Sequence, residues 1–119
     1  MGEGLITRRN SSGVLIEFEN YYSSAEGFTS STPTALSAAR NHLAGSSVGD
    51  YALFAGGYTG SSASNVVDAY NTSLTRSTAT ALSKARRYLA GSSVGDYALF
   101  AGGDTGSSAS DVVDAYNTS

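Results

Sequence analysis

The chain has 119 residues, and its seven lysines and arginines against ten aspartates and glutamates leave a net charge of −3. This length predicts one domain at most, and the charge balance argues against a nucleic-acid or anionic-membrane surface, which would need clustered Lys and Arg. The absence of cysteine excludes disulfides and thiolate sites, and the longest apolar run, Tyr51 to Ala55, is too short to span a bilayer.

Residues 1–27 precede the repetitive part of the chain and do not align with it. Within them, residues 13–24 (GVLIEFENYYSS) alternate and carry aromatics, which predicts one strand that packs against the repeats or attaches them to something larger. The first twelve residues (MGEGLITRRNSS) lead into no apolar core of a secretory signal. We therefore expect the protein to be made without a signal peptide.

The rest of the chain is a tandem repeat. Residues 44–73 recur at 90–119 with 28 of 30 positions identical, at an offset of 46. Residues 28–43 align at the same offset with 74–89, with 10 of 16 positions identical. The repetitive region, 28–119, is therefore two units of 46 residues, a period typical of architectures in which each unit buries its apolar face against a neighbour.

Each unit predicts four short strands, named a to d. Strand b (YALFA) is continuously apolar, which indicates a strand covered on both faces. Strand c alternates, strand a has small residues suited to a crowded axis, and strand d is rich in Thr and Ser, as an exposed edge strand is. In chain order the predicted strands are d (29–32), a (42–48), b (51–55), c (65–70), d (75–78), a (88–94), b (97–101) and c (111–116). The alternative is an α/β unit with a helix over 35–43, although so short a helix is marginal.

Four-stranded units of this length, with a glycine pair after strand b, resemble the Kelch repeat in the Ser/Thr-rich form of bacterial and prophage arrays. The matching residues are Arg40 and Arg86 at the start of strand a, the pairs Gly56-Gly57 and Gly102-Gly103 after strand b, and Tyr70 and Tyr116 in strand c. The usual tryptophan after strand c is missing, and Leu74 and Phe28 stand nearest its place. The resemblance implies an all-β fold, a β-propeller of four-stranded blades.

Propellers close with about 4–8 blades, and residues 28–119 supply two, in the strand order d-abcd-abc. We expect copies of the chain to complete a ring, with residues 28–34 of one copy supplying strand d to the last blade of its neighbour. A trimer with six blades is favoured over a tetramer with eight. The alternative is that the chain is a truncated fragment of a longer Kelch array.

The chain has no constellation typical of catalysis, so we predict that it is not an enzyme and needs no cofactor or metal. His42 is the only histidine, and no serine stands in a nucleophile elbow. Asp104 and Asp111 flank a loop that could hold a hard cation. The other unit has Tyr58 and Asn65 at those positions, which favours a solvated loop.

The two units differ mainly in their d–a and b–c loops, which emerge on the same face of a four-stranded blade. Such an asymmetry favours a diversified rim that binds a protein or a glycan. The rim residues are His42, Tyr58, Asn65, Lys84, Arg87, Tyr88, Asp104 and Asp111.

The leading prediction is a non-catalytic propeller that displays these loops to a partner, as a phage-type virion or surface component. Its location would then be cytoplasmic or virion-associated. The alternative is a glycan-binding or glycan-processing propeller with its site on the d–a and b–c face. Neither nucleic acid nor membrane insertion is expected.

Overall fold

The computed structural model describes residues 7–9, 15–18 and 28–118. The chain divides into two compact units, Met1–Thr32 and Pro33–Ser119. All regular structure in the described ranges is β-strand, so the prediction of an all-β fold is confirmed and the helical alternative is wrong there.

The first unit contains a pair of antiparallel strands, β1 (Thr7–Arg9) and β2 (Leu15–Phe18). The strand predicted over 13–24 is present at Leu15–Phe18, and the rest of that prediction lies outside the described residues. Strand β1 was not predicted, because its sequence TRR shows no apolar alternation and its pairing with β2 is a property of the backbone.

The second unit contains two antiparallel sheets whose strands follow one another in chain order. The first sheet consists of β3 (Ala44–Val48), β4 (Tyr51–Ala55), β5 (Val67–Tyr70) and β6 (Arg76–Thr78). The second sheet consists of β7 (Ala90–Val94), β8 (Tyr97–Ala101) and β9 (Val113–Tyr116). The register of β7, β8 and β9 repeats that of β3, β4 and β5 at the 46-residue offset.

The two b strands have the predicted bounds, whereas strands a and c begin two residues later than predicted. His42 and Tyr88, where strand a was expected to begin, have φ angles of 56° and 59°. This left-handed conformation is incompatible with an extended strand. At the predicted start of strand c, the carbonyl oxygen of Asn65 accepts a hydrogen bond from the Leu82 amide, and that of Val66 accepts one from the Gly56 amide. These two residues therefore lie outside the regular strand pairing.

Only one of the two predicted d strands forms. Residues 76–78 are strand β6 because they pair with β5, for example Thr78 with Asp68. Residues 28–34 form no strand, so the strand expected at 29–32 is absent from the described chain. A strand needs a partner to satisfy its backbone groups, and none of the described strands pairs with this segment.

Each sheet has two distinct faces. The Phe face is the side that carries Phe54 in the first sheet and Phe100 in the second, and the Val face is the opposite side, which carries Val67 and Val113. The Val face of the first sheet packs against the Phe face of the second, since β3 lies against β7 and β8. The buried apolar residues between and beside them are Ala44, Val48, Leu53, Ala55, Val67, Ala69, Leu82, Leu89, Ala98 and Phe100.

Small residues bring the two sheets close together. A Cβ atom added to Gly91 would meet the carbonyl oxygen of Gly45 far inside contact distance. Around this point the Ser46 hydroxyl donates to the Ser92 carbonyl oxygen at 2.6 Å. The result is an open pair of stacked sheets and not a closed propeller.

Candidate functional site

Arg40, predicted as a motif residue, holds together three parts of the first sheet. Its guanidinium donates to the carbonyl oxygens of Gly56 and Val66, at 2.5 and 3.1 Å. It also forms a 2.6 Å ion pair with the Asp68 carboxylate, and both side chains are fully buried. A buried guanidinium requires such partners because its desolvation is costly, so Arg40 has a structural role here.

Arg86 makes the same contacts in the second sheet. It donates to the carbonyl oxygens of Gly102 and Val112, at 2.7 and 3.0 Å, and pairs with Asp114 at 2.6 Å. The side chain of Asp114 is 17% exposed, whereas that of Asp68 is fully buried. Sequence reasoning missed both aspartates; the available signal was a charged residue kept in both copies of an otherwise apolar strand.

The two glycine pairs adopt backbone conformations that favour glycine. Gly56-Gly57 and Gly102-Gly103 have φ angles between 70° and 104°, a region that strongly favours glycine. A Cβ atom on the second glycine of each pair would lie 2.6 Å from a backbone oxygen, that of Asn41 or Arg87. The glycines therefore let strand b end tightly against the residues before strand a.

The strand c tyrosines anchor the segment that enters each sheet. The Tyr70 hydroxyl donates to the Thr34 carbonyl oxygen at 2.8 Å, and the Tyr116 hydroxyl donates to that of Thr80 at 2.7 Å. Burial raises the pKa of Tyr116 to about 12, and the Asp114 carboxylate acts in the same direction. The phenol is therefore a protonated donor at neutral pH.

Five of the eight predicted rim residues lie together. The Arg87 guanidinium carbon lies 4.6 Å from the ring centroid of Tyr58 and 5.4 Å from that of Tyr88. Asp104 approaches the same guanidinium at 3.5 Å. The rings of His42 and Tyr88 lie against each other with their centroids 4.2 Å apart and their planes tilted by 34°. The cluster joins the two sheets, because Tyr58 and His42 come from the first repeat and the other three residues from the second.

Three predicted rim residues lie outside this cluster. Lys84 and Asp111 line a separate shallow groove beside the second b–c loop. Asn65 is exposed, and its carbonyl oxygen accepts from the Leu82 amide at 2.8 Å. Within the described residues, no group of three His, Asp or Glu side chains is arranged to hold a metal ion.

The two sheets share nearly the same sequence but bury opposite faces. Phe100 is fully buried by the first sheet, while Phe54 at the equivalent position is 37% exposed. On the other face the order is reversed, since Val67 is fully buried and its equivalent Val113 is 57% exposed. The two sheets of Pro33–Ser119 therefore leave one of their Phe faces and one of their Val faces uncovered by each other, and both are apolar surfaces that the same fold buries elsewhere.

The free Phe face of the first sheet forms an open apolar groove of about 690 Å³. It is lined by Pro33, Thr34, Leu36, Leu43, Ala44, Gly45, Ala52, Phe54, Tyr70 and Leu74. Leu36 and Leu43 are half-buried there, whereas Leu82 and Leu89, their equivalents in the second repeat, are buried against the first sheet. The groove is thus the uncovered copy of a surface that is covered within the chain.

The glycines give the same asymmetry from the backbone. A Cβ atom on Gly56 would lie 2.6 Å from the Arg86 carbonyl oxygen and 2.9 Å from Leu89. At the equivalent Gly102, the nearest atom would be the Ser110 carbonyl oxygen at 3.6 Å. The Gly102 side of the second sheet therefore has room for another Leu and Arg pair.

A comparison with protein-family models gives no match, and a comparison with curated proteins gives none either. The described part of the chain contains no helix long and apolar enough to cross a membrane.

Proposed function

We propose that this chain is a non-catalytic structural and display module that assembles with copies of itself, the Val face of one copy packing on the Phe face of the next. The observation that carries the proposal is the complementary exposure of the two sheets. Phe54 and Val113 are exposed. Their equivalents are fully buried, Phe100 against the first sheet and Val67 against the second. One neighbouring copy would cover the free Phe face and another the free Val face, each with a contact that the chain already makes internally.

The contact is head to tail, because a Val face meets a Phe face. Repeated contacts of this kind produce a closed ring if the rotation closes and a filament if it does not. The resemblance to Kelch repeats favours closure as a propeller of about six blades, which is three chains. Closure would leave no apolar sheet face in water, which is the physical advantage of the ring over a filament.

The assembly test uses two equivalent glycines. In the isolated chain a Cβ atom on Gly45 meets only ordinary contacts, the nearest being a Phe54 ring carbon at 3.5 Å. In the proposed assembly it would meet the Gly91 carbonyl oxygen of the neighbouring copy, as Gly91 meets Gly45 within the chain. We expect Gly45→Ala to keep the β-sheet circular dichroism spectrum and to weaken assembly about tenfold or more per contact.

Sedimentation velocity over a range of concentrations measures this effect. The matched control is Gly91→Ala, which introduces the same methyl group inside the chain and should lower its thermal stability. Wild-type mass for Gly45→Ala at all concentrations would contradict the proposed interface. A monomeric wild-type chain would defeat assembly altogether.

The rim cluster would be repeated once per chain on one face of such a ring, and we propose it as the partner-binding surface, with glycans as the partner. An aromatic ring beside a guanidinium suits stacking on a sugar and pairing with its polar groups. The groove next to the cluster, about 360 Å³, adds several hydroxyl-bearing side chains. Its lining residues are Tyr58, Ser61, Ser62, Ala63, Arg87, Thr105, Gly106 and Ser107.

An array of neutral and acidic oligosaccharides tests the rim. We expect the wild-type protein to bind at least one class, and Tyr58→Ala with Arg87→Ala to weaken that binding by about tenfold or more. The control changes Asp50, an exposed residue of the a–b turn away from the d–a and b–c loops, to alanine. Equal losses from both variants, or no binding by the wild type, would contradict the rim assignment.

A further inference from the structure

The outer edge of the second sheet is incomplete. Strand β5 of the first sheet pairs with β4 on one side and with β6 on the other. Its equivalent β9 pairs with β8, and none of the other described strands covers its second edge. An uncovered edge presents unpaired backbone groups that can accept another strand.

The repeat itself identifies the strand that fits this edge. Strand β6 (Arg76–Thr78) corresponds at the 46-residue offset to residues 30–32, and the local sequences are TRST and TSST. The segment is free of regular structure in the described chain. It begins beside Phe28, which is completely exposed and corresponds to Leu74 of the first groove.

The chain path decides which molecule must supply the segment. Strand β6 belongs to the first sheet, yet Thr80, two residues after it, is bound by Tyr116 of the second sheet. A d strand therefore completes one sheet and leads directly into the next. Residues 30–32 lead in the same way into Thr34, which is bound by Tyr70 of the first sheet.

By this path, residues 30–32 complete the sheet that precedes the first sheet. Neither of the two sheets of the second unit occupies that place, because the Phe face of the first sheet is the open groove. In the proposed assembly it is occupied by the second sheet of the neighbouring copy. The copy that covers the groove is thus the one whose β9 edge receives the strand.

We infer that residues 30–32 of each copy pair with strand β9 of the neighbour whose Val face covers its groove. This inference rests on the proposed assembly and names the segment that would link neighbouring copies by backbone hydrogen bonds. The register follows from β5 and β6, where Asp68 faces Thr78, Ala69 faces Ser77 and Tyr70 faces Arg76. We call this strand pair between two copies the seam. At the seam, Asp114 would face Thr32, Ala115 would face Ser31 and Tyr116 would face Ser30. Phe28 would pack on the neighbour's Phe face as Leu74 does on the first sheet.

The chain has no cysteine, so an engineered pair of cysteines can test the seam without competing disulfides. In the full chain, Ser31→Cys with Ala115→Cys places two thiols directly opposite each other, where cross-strand Cβ atoms lie about 4.5–5.5 Å apart. We expect oxidation to shift the protein on non-reducing gels from one chain to covalent species of two and three chains. The register control, Thr32→Cys with Ala115→Cys, places the thiols on opposite faces and should stay monomeric on the gel.

The outcomes separate the seam from the assembly. A Ser31→Cys, Ala115→Cys variant that sediments with the wild-type mass but does not cross-link overturns the strand pairing and leaves the sheet-to-sheet assembly standing. A disulfide formed inside single chains, detected by peptide mass, also overturns the pairing between copies. A monomeric cysteine-free chain overturns both proposals. The covalent trimer supports the seam, with Ala69→Cys and Ser77→Cys as the positive control for disulfide formation within one chain.

Discussion

Replacing Phe100 by alanine should destabilise the chain by about 3–5 kcal/mol, the usual cost of truncating a buried aromatic side chain. Phe100 is fully buried between the two sheets and meets the ring of Tyr116 edge-on, with centroids 5.8 Å apart. Its removal would leave a cavity against the first sheet that rigid strands cannot close. Urea unfolding at a fixed protein concentration measures the loss.

The matched variant is Phe54→Ala, which removes the same ring from the same position of the other repeat. Because Phe54 is 37% exposed in the single chain, we expect a smaller loss of stability within the chain and a clear loss of assembly. The sequence indicated that both rings lie in doubly covered strands, and for Phe54 this is wrong in the chain alone. Near-wild-type stability of Phe100→Ala would mean that the core lies elsewhere.

The second large effect is expected for Arg86→Met, which keeps most of the side-chain volume and removes the charge. Arg86 is fully buried and neutralises Asp114, while it also satisfies two backbone carbonyl oxygens. Removing one partner of a buried ion pair costs about 3–5 kcal/mol, because the other charge stays desolvated. In a small domain this is a large share of the total free energy of unfolding.

Arg87 is the neighbouring control in the sequence. It is 26% exposed and lies 3.5 Å from Asp104, so its ion pair is worth about 1 kcal/mol or less. We expect the urea midpoint of Arg87→Met to stay close to that of the wild type and that of Arg86→Met to fall strongly. Equal midpoints for the two variants would contradict the structural role assigned to Arg86.

Much of the local structure could be predicted because its causes lie within a few residues. The apolar run YALFA ends at a glycine pair, so both b strands have the predicted bounds. The strand a starts were missed because His42 and Tyr88 adopt a left-handed backbone that non-glycine residues rarely take. The roles of Asp68 and Asp114 were missed because a buried carboxylate is identified by its partner, which lies 28 residues away in the chain.

The sequence by itself determined the repeat, the order of the strands and the small residues that allow close approach, since these depend on local composition and on self-comparison. Only the tertiary structure decided which copy of each residue is buried. Phe54 and Phe100 stand in identical YALFA strands, yet their exposure differs because the first sheet lies over the Phe face of the second, whereas the second sheet lies on the opposite side of the first. Two nearly identical units carry no local signal for the order in which they stack, so burial is a property of the stacked pair and not of either repeat.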